Sequence, residues 1–343
     1  MNAFFRAIEN CDPNTESIAM TVLSGDYIGE KAVICSGGFT FLSNENGFIE
    51  SHREELLSVT DSGIHSIDGT EIYTEYVGHE KKLVICGCGH VSMPIVSLGK
   101  MLGFKVTAID DRPEFVDKAF TAGADEVIPA PFSDALEQIE SDLFTYYAIV
   151  TRGHHWDEVC LKNICSKPHA YVGMMGSARR VAVVKENLVK EGIDKEVMEN
   201  VHSPIGLKIG SETPEEIAVS IMAEIIQVKS EKKDYTVPKD ILKAVNGSGH
   251  EEPLPGRKIL ATIISKEGSA PREAGTKMLI LEDTIVNTIG GGLLESKIIA
   301  KAREMLSSQD PKPERLHLTL SADAASLEGE VCGGVIDVFI EEI

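Results

Sequence analysis

The sequence predicts an α/β protein in which a parallel-sheet unit stands between two related, smaller α+β units, the N-terminal one degenerate. Three observations carry that expectation. Residues 81–112 read as strand, glycine turn, helix and strand. The stretch after them alternates short apolar runs with helical periodicity. The segments on either side repeat one another weakly.

In KKLVICGCGHVSMPIVSLGKMLGFKVTAIDDR the apolar run Leu83 to Cys86 meets Gly87-Cys88-Gly89, and an apolar-periodic helix follows. A second apolar run then stops at Asp110. An acid about 20 residues past a glycine turn is the layout of a Rossmann-like dinucleotide-binding unit. Gly87 permits the tight turn, and Gly89 lets backbone N–H groups approach a pyrophosphate held at the helix N-terminus. Asp110 is placed to accept hydrogen bonds from a ribose diol, which favours NAD over NADP as the adenine nucleotide. The Arg112 guanidinium would partly offset the repulsion of a 2′-phosphate. The third glycine position holds Ser92, small enough to pack there.

Further strands are expected at residues 126–128, 147–151 and 170–172 with helices between them, so the sheet is parallel and covered on both faces. Thr151-Arg152-Gly153-His154-His155-Trp156-Asp157 then falls at a strand's C-terminal edge, where ligands sit in open α/β sheets. Two histidines with Asp157 have the chemistry to bind metal or to act as acid and base. Lining a pocket, with Asp157 capping the next helix, is the favoured reading. Residues 171–180 form another strand, glycine turn and helix start, with Gly173 and Gly176 in the turn and Ser177 as N-cap or phosphate contact. The unit closes on a helix marked by Thr213 as N-cap, Pro214 at the first helical position and Glu216 completing a capping box. The charge run at residues 229–234 reads as a solvated linker. These signals divide the chain into residues 1–79, 80–230 and 231–343.

The flanking segments match in four places. Phe4 to Ile8 matches Ile241 to Val245 as a short helix, and Ile18 to Ser24 matches Ile259 to Ser265 as a strand. Lys31 to Ile34 matches Lys277 to Ile280, and Ile72 to Glu75 matches Val338 to Glu341. Such an internal repeat implies two copies of one supersecondary unit. The copies differ where chemistry would reside. The second carries GSAPREAGTKM, GGGLLE and CGG; in the first, Ser36-Gly37-Gly38 is a remnant at most. Copy one therefore reads as structural and copy two as the working site.

In copy two, Gly290, Gly291 and Gly292 mark backbone that turns tightly or approaches something closely. Ser269, Arg272 and Lys277 supply a hydroxyl and two cations around another turn, a set suited to an anionic small molecule bearing a phosphate. Cys332 precedes a glycine pair just before the last strand. A thiol there could ligate a soft metal or handle sulfur, or be a buried strand-start cysteine.

Composition excludes several functions. A net charge of −21 makes nucleic acid and anionic membrane poor partners. No apolar run approaches the ~20 residues of a membrane span, and the N-terminus lacks a signal-peptide pattern, so a cytoplasmic location is expected. The seven cysteines show no paired zinc spacing, and in a reducing compartment they default to small buried hydrophobes or single reactive thiols.

GCGHV, IDDRPEF, TRGHHWDE, YVGMMGSARR and SPIGLKIGSETPEEIAVSIMAEI in the central unit, with GSAPREAGTKM, TIGGGLLE and CGG after it, resemble the XdhC/CoxI family of xanthine dehydrogenase accessory proteins. The resemblance covers residues 81 to 343. The family usually places the glycine-rich α+β domain before the Rossmann domain, whereas here it follows, with a degenerate copy in front. The resemblance implies a chaperone that binds molybdenum cofactor (molybdopterin), assists its sulfuration and delivers it to a molybdenum hydroxylase of the xanthine dehydrogenase class. A sulfur donor such as a cysteine desulfurase would be a second partner, and a homodimer is expected, because the flanking copies offer unpaired strand edges and apolar faces. Within the matched motifs, His90 and Glu295 join the cofactor-binding candidates, and Cys332 is the candidate for contact with molybdenum and for catalysis. The other reading is an NAD(P)-dependent oxidoreductase with Arg152, His154 or Asp157 at its active site.

Overall fold

The computed structural model describes residues 2–231, 234–268, 272–319 and 334–343. It is a mixed α/β protein with one parallel and two antiparallel sheets. The chain forms two compact units: His79–Lys232 is one, and Met1–Gly78 together with Lys233–Ile343 is the other. The flanks set apart as two domains by the sequence thus pack as one.

Copy one runs α1 (Ala3–Glu9), β1 (Ser17–Val22), β2 (Lys31–Cys35), β3 (Gly38–Leu42), α2 (Phe48–Ser51), α3 (Arg53–Leu57), β4 (Gly63–Ile67) and β5 (Thr70–Val77). The Rossmann-like unit follows with β6 (Lys82–Cys86), α4 (Ser92–Met101), β7 (Lys105–Ile109), α5 (Pro113–Thr121), β8 (Glu126–Ile128), α6 (Phe132–Gln138) and β9 (Thr145–Ile149). It continues through α7 (His154–Ile164), β10 (Tyr171–Met174), α8 (Ala178–Lys190), α9 (Lys195–Glu199) and α10 (Pro214–Glu231). Copy two comprises β11 (Asp234–Tyr235), α11 (Lys239–Asn246), β12 (Ile259–Glu267), β13 (Lys277–Ile280), β14 (Ile285–Val286), α12 (Gly292–Ser307), β15 (Glu314–Thr319) and β16 (Val335–Glu342).

The parallel sheet has the order β10-β9-β6-β7-β8, so its direction of winding reverses between β6 and β9. Ligands of such sheets sit over the carboxyl ends of the strands at that reversal. Apolar residues fill both faces, with Leu83, Ile85, Val106 and Ala108 under α4 and α10, and Val84, Cys86, Ile109, Tyr147 and Ile149 under α6 and α7. The capping box forms: Thr213 Oγ1 accepts from the Glu216 N–H, and Glu216 accepts from the Thr213 N–H. The charge run behaves otherwise than expected, because α10 continues through Lys229 and Ser230 to Glu231, with the Lys229 ammonium over the Phe104 ring. No helix among the described residues is long and apolar enough to cross a membrane.

The two copies have the same strand order. β3-β2-β1-β5 in copy one answers to β14-β13-β12-β16 in copy two, and β4 pairs with β5 as β15 pairs with β16. Each sheet buries one face against its own helices. Met20, Ala32 and Ile34 pack on Phe48, Ile49 and Leu56; Ala261, Met278 and Ile280 pack on Leu294, Ile298 and Ala302. Their other faces meet each other, Ala19 and Val33 joining Leu260 and Leu279 in one cluster, and Leu23 and Tyr73 joining Ile264 and Phe339 in another. The ion pairs there are reciprocal. Lys31 of copy one holds Glu341 of copy two at 2.6 Å, and its repeat mate Lys277 holds Glu75, the mate of Glu341, also at 2.6 Å. This is the pattern of a two-fold interface, here inside one chain. The apolar faces expected to drive homodimerisation are therefore covered within the chain. The cysteine expectation also needs correction: Cys11, just past α1, is joined by a disulfide to Cys35 at the end of β2.

Candidate functional site

The β6–α4 turn has the geometry of a nucleotide fold, with an internal twist. Gly87 has φ +104°, and a Cβ there would stand 2.7 Å from the Val150 carbonyl oxygen, so the position needs glycine for the close approach of the chain just past β9. A Cβ on Gly89 would meet nothing within 4 Å, which leaves that backbone open. Ser92 tightens the turn, its buried hydroxyl donating to the Gly87 carbonyl at 2.5 Å.

Asp110 departs from its expected role. It is fully buried, and its carboxylate accepts from the Cys88 N–H at 2.7 Å and from the Arg112 backbone N–H, Nε and Nη2 at 3.1, 2.8 and 2.9 Å. Burial pushes its pKa up, but these donors outweigh that and hold it below the usual carboxylate range. A carboxylate so occupied has no free oxygen for a ribose diol. The accessible acid is Asp111, whose carboxylate takes the Arg152 guanidinium at 2.5 and 2.9 Å. Arg112 lies over the Phe115 ring and Arg152 over Trp156, so both guanidiniums are stacked at the carboxyl edge of the sheet.

His90, His154 and His155 are exposed, the last two opening α7. Asp157 is buried in the first turn of that helix and accepts from Thr151 Oγ1 at 2.6 Å. Burial raises its pKa to about 6 against that hydrogen bond. Gly173 is fixed by packing, since a Cβ would collide with Tyr171 Oη and Ile205. Gly176 and Ser177 lead into α8, where Ser177 is the N-cap residue by position but makes no side-chain capping bond. Burial drives the Cys88 thiol to about 12, which removes it from nucleophilic chemistry. No group of three His, Cys, Asp or Glu residues among the described residues could hold a metal.

The second site lies in copy two. Thr236, Pro238, the stretch from Arg272 to Lys277, Asn287 and Thr288 line a cavity of about 470 Å³. Glu273 is paired with Lys266, whereas Arg272, exposed beside it, has no acidic partner among the described residues. Gly290, Gly291 and Gly292 all have positive φ, and Asn287 also lies at φ 65°. Glu295 holds this turn from within by accepting the Thr288 hydroxyl and the Ile289 and Gly291 N–H groups, the last two at 3.2 and 3.0 Å. One oxygen of its carboxylate, Oε2, therefore fastens the loop from within. Lys277 is also corrected: its ammonium is buried, bonded to Glu75 and to the Gly275 carbonyl. It also borders the cavity, but withdrawing it from that pair would strand a buried carboxylate, so its charge is already committed within the protein. Ser269 and Cys332 lie outside the described residues.

Sequence reasoning passed over Asp111, Trp156, Thr276, Asn287 and Thr288. The Asp110-Asp111 doublet was a visible signal for the first. Asn287 and Thr288 stand immediately before the glycine run, but nothing in their spacing marks them.

A nucleotide-fold unit joined to a doubled α+β unit with a glycine-rich helix start defines the class. Residues 83–225 match the XdhC Rossmann domain, and residues 256–319 match the XdhC and CoxI family. The chain belongs to the XdhC and CoxI family. It is 31% identical over 222 residues to a Bacillus subtilis protein described as a probable xanthine dehydrogenase subunit, covering 62% of this chain and 64% of that one. It is 29% identical over 181 residues to the uncharacterized protein YqeB of Escherichia coli, covering 52% of this chain and 32% of that one. The chain thus spans a third of one curated relative and just under two thirds of the other. A crystal structure described as a xanthine dehydrogenase from Bacillus halodurans superposes with a TM-score of 0.52 at 25% identity over 64% of each chain.

Proposed function

We propose that this protein is an accessory factor for a molybdenum hydroxylase of the xanthine dehydrogenase class, holding molybdenum cofactor in copy two and assisting its sulfuration and insertion. The observation that carries the proposal is the cavity of about 470 Å³ with the Arg272 guanidinium at its wall, without an acidic partner among the described residues. Its size suits a small cofactor. A guanidinium suits a phosphate, which it can meet through two parallel N–H bonds. The amide of Asn287 can donate and accept along the edge of a pterin, and the hydroxyl oxygens of Thr276 and Thr288, whose protons go to the Glu273 carbonyl and to Glu295, can accept from it. When bound, the cofactor would supply a molybdenum centre able to take up sulfur. Cys332 is proposed as the thiol that takes part in sulfuration, because it precedes Gly333 and Gly334 in the motif-bearing copy. A cysteine desulfurase as sulfur donor and the hydroxylase as recipient follow from the same reading. A homodimer, if it forms, must use a surface other than the faces the copies bury between them.

Family membership supports the reading, as does the Bacillus subtilis relative described as part of a xanthine dehydrogenase. The NAD(P)-dependent oxidoreductase reading is weaker, because Asp110 is spent on internal donors. The test is retention. Purified protein incubated with isolated molybdenum cofactor and with NADH is expected to keep the cofactor, and Arg272→Ala to lose it at least tenfold. Cofactor retention unchanged by Arg272→Ala would overturn the placement, and retention of NADH alone would favour the oxidoreductase.

A further inference from the structure

The helix that covers the sheet is continuous in copy two and broken in copy one, and the break falls at a histidine. Val33 pairs with Phe41 in copy one, and its counterpart Leu279 pairs with Val286 in copy two. Counting on from Phe41 and Val286 sets Gly47-Phe48-Ile49-Glu50-Ser51 against Gly292-Leu293-Leu294-Glu295-Ser296. Three of these five residues are identical, and the next position is His52 in copy one and Lys297 in copy two. There α12 runs on to Ser307. In copy one α2 ends at Ser51, His52 leaves the helical region at φ −113° and ψ 27°, and α3 begins at Arg53.

The His52 ring folds back over the turn that it ends. It stacks on the Phe48 ring with the centroids 4.0 Å apart. Its Nδ1 lies 2.9 Å from the Phe48 carbonyl oxygen and 3.0 Å from Ser51 Oγ, and the Ser51 hydroxyl donates to that same carbonyl at 2.8 Å. Its Nε2 lies 3.1 Å from the carboxylate of Asp68, in the turn between β4 and β5. A carbonyl and a carboxylate can only accept, so each ring nitrogen needs a proton to bond its neighbour. Neutral imidazole carries one N–H and sets a lone pair against a lone pair on the other side. The imidazolium carries two and satisfies both.

We infer that His52 is a proton-dependent latch in copy one: as the imidazolium it ties the junction of α2 and α3 to the turn between β4 and β5, and as the neutral ring it lets one of the two go. The charges around it favour the proton. Asp68 in the turn and Glu55 in α3 are both acids, while the neighbouring Glu50 and Arg53 pair with each other at 2.6 Å. The Phe48 carbonyl first, and Asp68 next, raise the His52 pKa above its ordinary value, against a smaller loss from burial. A group whose folded pKa is raised adds stability that is complete below its unfolded pKa, about 6.5, and is lost as pH climbs through the folded one. The latch is therefore shut in mildly acid solution and opens as pH rises past the folded pKa.

The protons can be counted on the ring itself. Nitrogen-15 spectra of the unaltered chain near pH 6.5 are expected to show His52 mostly as imidazolium, with both nitrogens protonated and a titration midpoint above about 6.5. Asp68→Asn removes one acceptor and should lower that midpoint by about half a unit or more. The variant suits the backbone, because Asp68 lies at φ 45° and asparagine tolerates that region. The hold on the turn is read by hydrogen exchange at the Asp68 and Gly69 amides. As pH passes the His52 midpoint these should quicken beyond the general rise with hydroxide, and His52→Gln should abolish that step. A ring carrying a single proton near pH 6.5, or a midpoint that Asp68→Asn leaves in place, overturns the latch. So does a raised midpoint with no step in the exchange of the two amides, since His52 would then be charged without holding the turn.

Discussion

Copy one and copy two share strand order, register and reciprocal ion pairs, yet they treat the start of the covering helix in opposite ways. Copy one buries Glu30 there and follows it with helices of four and five residues, α2 and α3. Copy two leaves the position to Thr276 and runs a 16-residue helix behind a turn of three glycines, fastened by Glu295. Duplicated units keep what holds them to each other, because removing either half of a buried pair strands the other. The helix start bears no such constraint. The two copies could therefore diverge there without breaking the contact between them.

The largest expected effect breaks the shared part. Lys277→Met removes the cation from a buried pair and leaves Glu75 without its ion-pair partner, which should cost about 3–5 kcal/mol of stability. The double variant with Glu75→Gln should recover most of that loss. Lys31→Met, in the more exposed mate, should cost less. Equal losses at the two positions by denaturant unfolding would remove the distinction drawn between them.

Glu30→Ala comes next. It leaves the Phe48 and Ile49 N–H groups buried without acceptors, at about 1–3 kcal/mol. A variant as stable as the parent would mean that Glu30 does not hold the start of α2.

Arg272→Ala should leave the melting temperature unchanged and weaken cofactor retention about tenfold, or about 1.4 kcal/mol. The result separates a ligand-facing cation from Lys277, which is bound up in the core. A fall in melting temperature would place Arg272 in the framework instead.

The smallest effect concerns Asp337 of copy two. Its carboxylate takes Arg315 Nη2 at 2.6 Å, His317 Nδ1 at 2.7 Å and Ser265 Oγ at 2.8 Å, and the same Arg315 reaches Glu71 of copy one at 2.8 Å. Burial raises the Asp337 pKa, but these partners outweigh it and the group titrates below its ordinary value. A depressed carboxylate adds stability above its unfolded pKa and loses it as pH falls through the folded one. Stability should therefore drop below about pH 4, and Asp337→Asn should flatten that part of the profile. An unchanged slope would show that other acids set it.

Much of this was legible in the sequence because it is local or periodic. The strand, glycine turn, helix and strand around Gly87 are written within thirty-two residues, 81–112. The Thr213 capping box depends on residues three apart, and the repeats kept their order along the chain. The Rossmann-like unit, the doubled α+β flanks and the family follow from such signals. Where side chains point was not legible. Asp110 stands where a ribose acid would, but its neighbour Arg112 and the Cys88 N–H turn it inward. Lys277 sits among the motif residues of copy two, but its partner is Glu75, 202 positions away. Glu30 directly precedes the repeat residue Lys31, but only the structure shows its carboxylate holding the Phe48 and Ile49 N–H groups. Spacing along a chain determines which elements form and which face a residue occupies. Which charge meets which across two packed sheets depends on contacts between distant segments, and only the tertiary structure decides those.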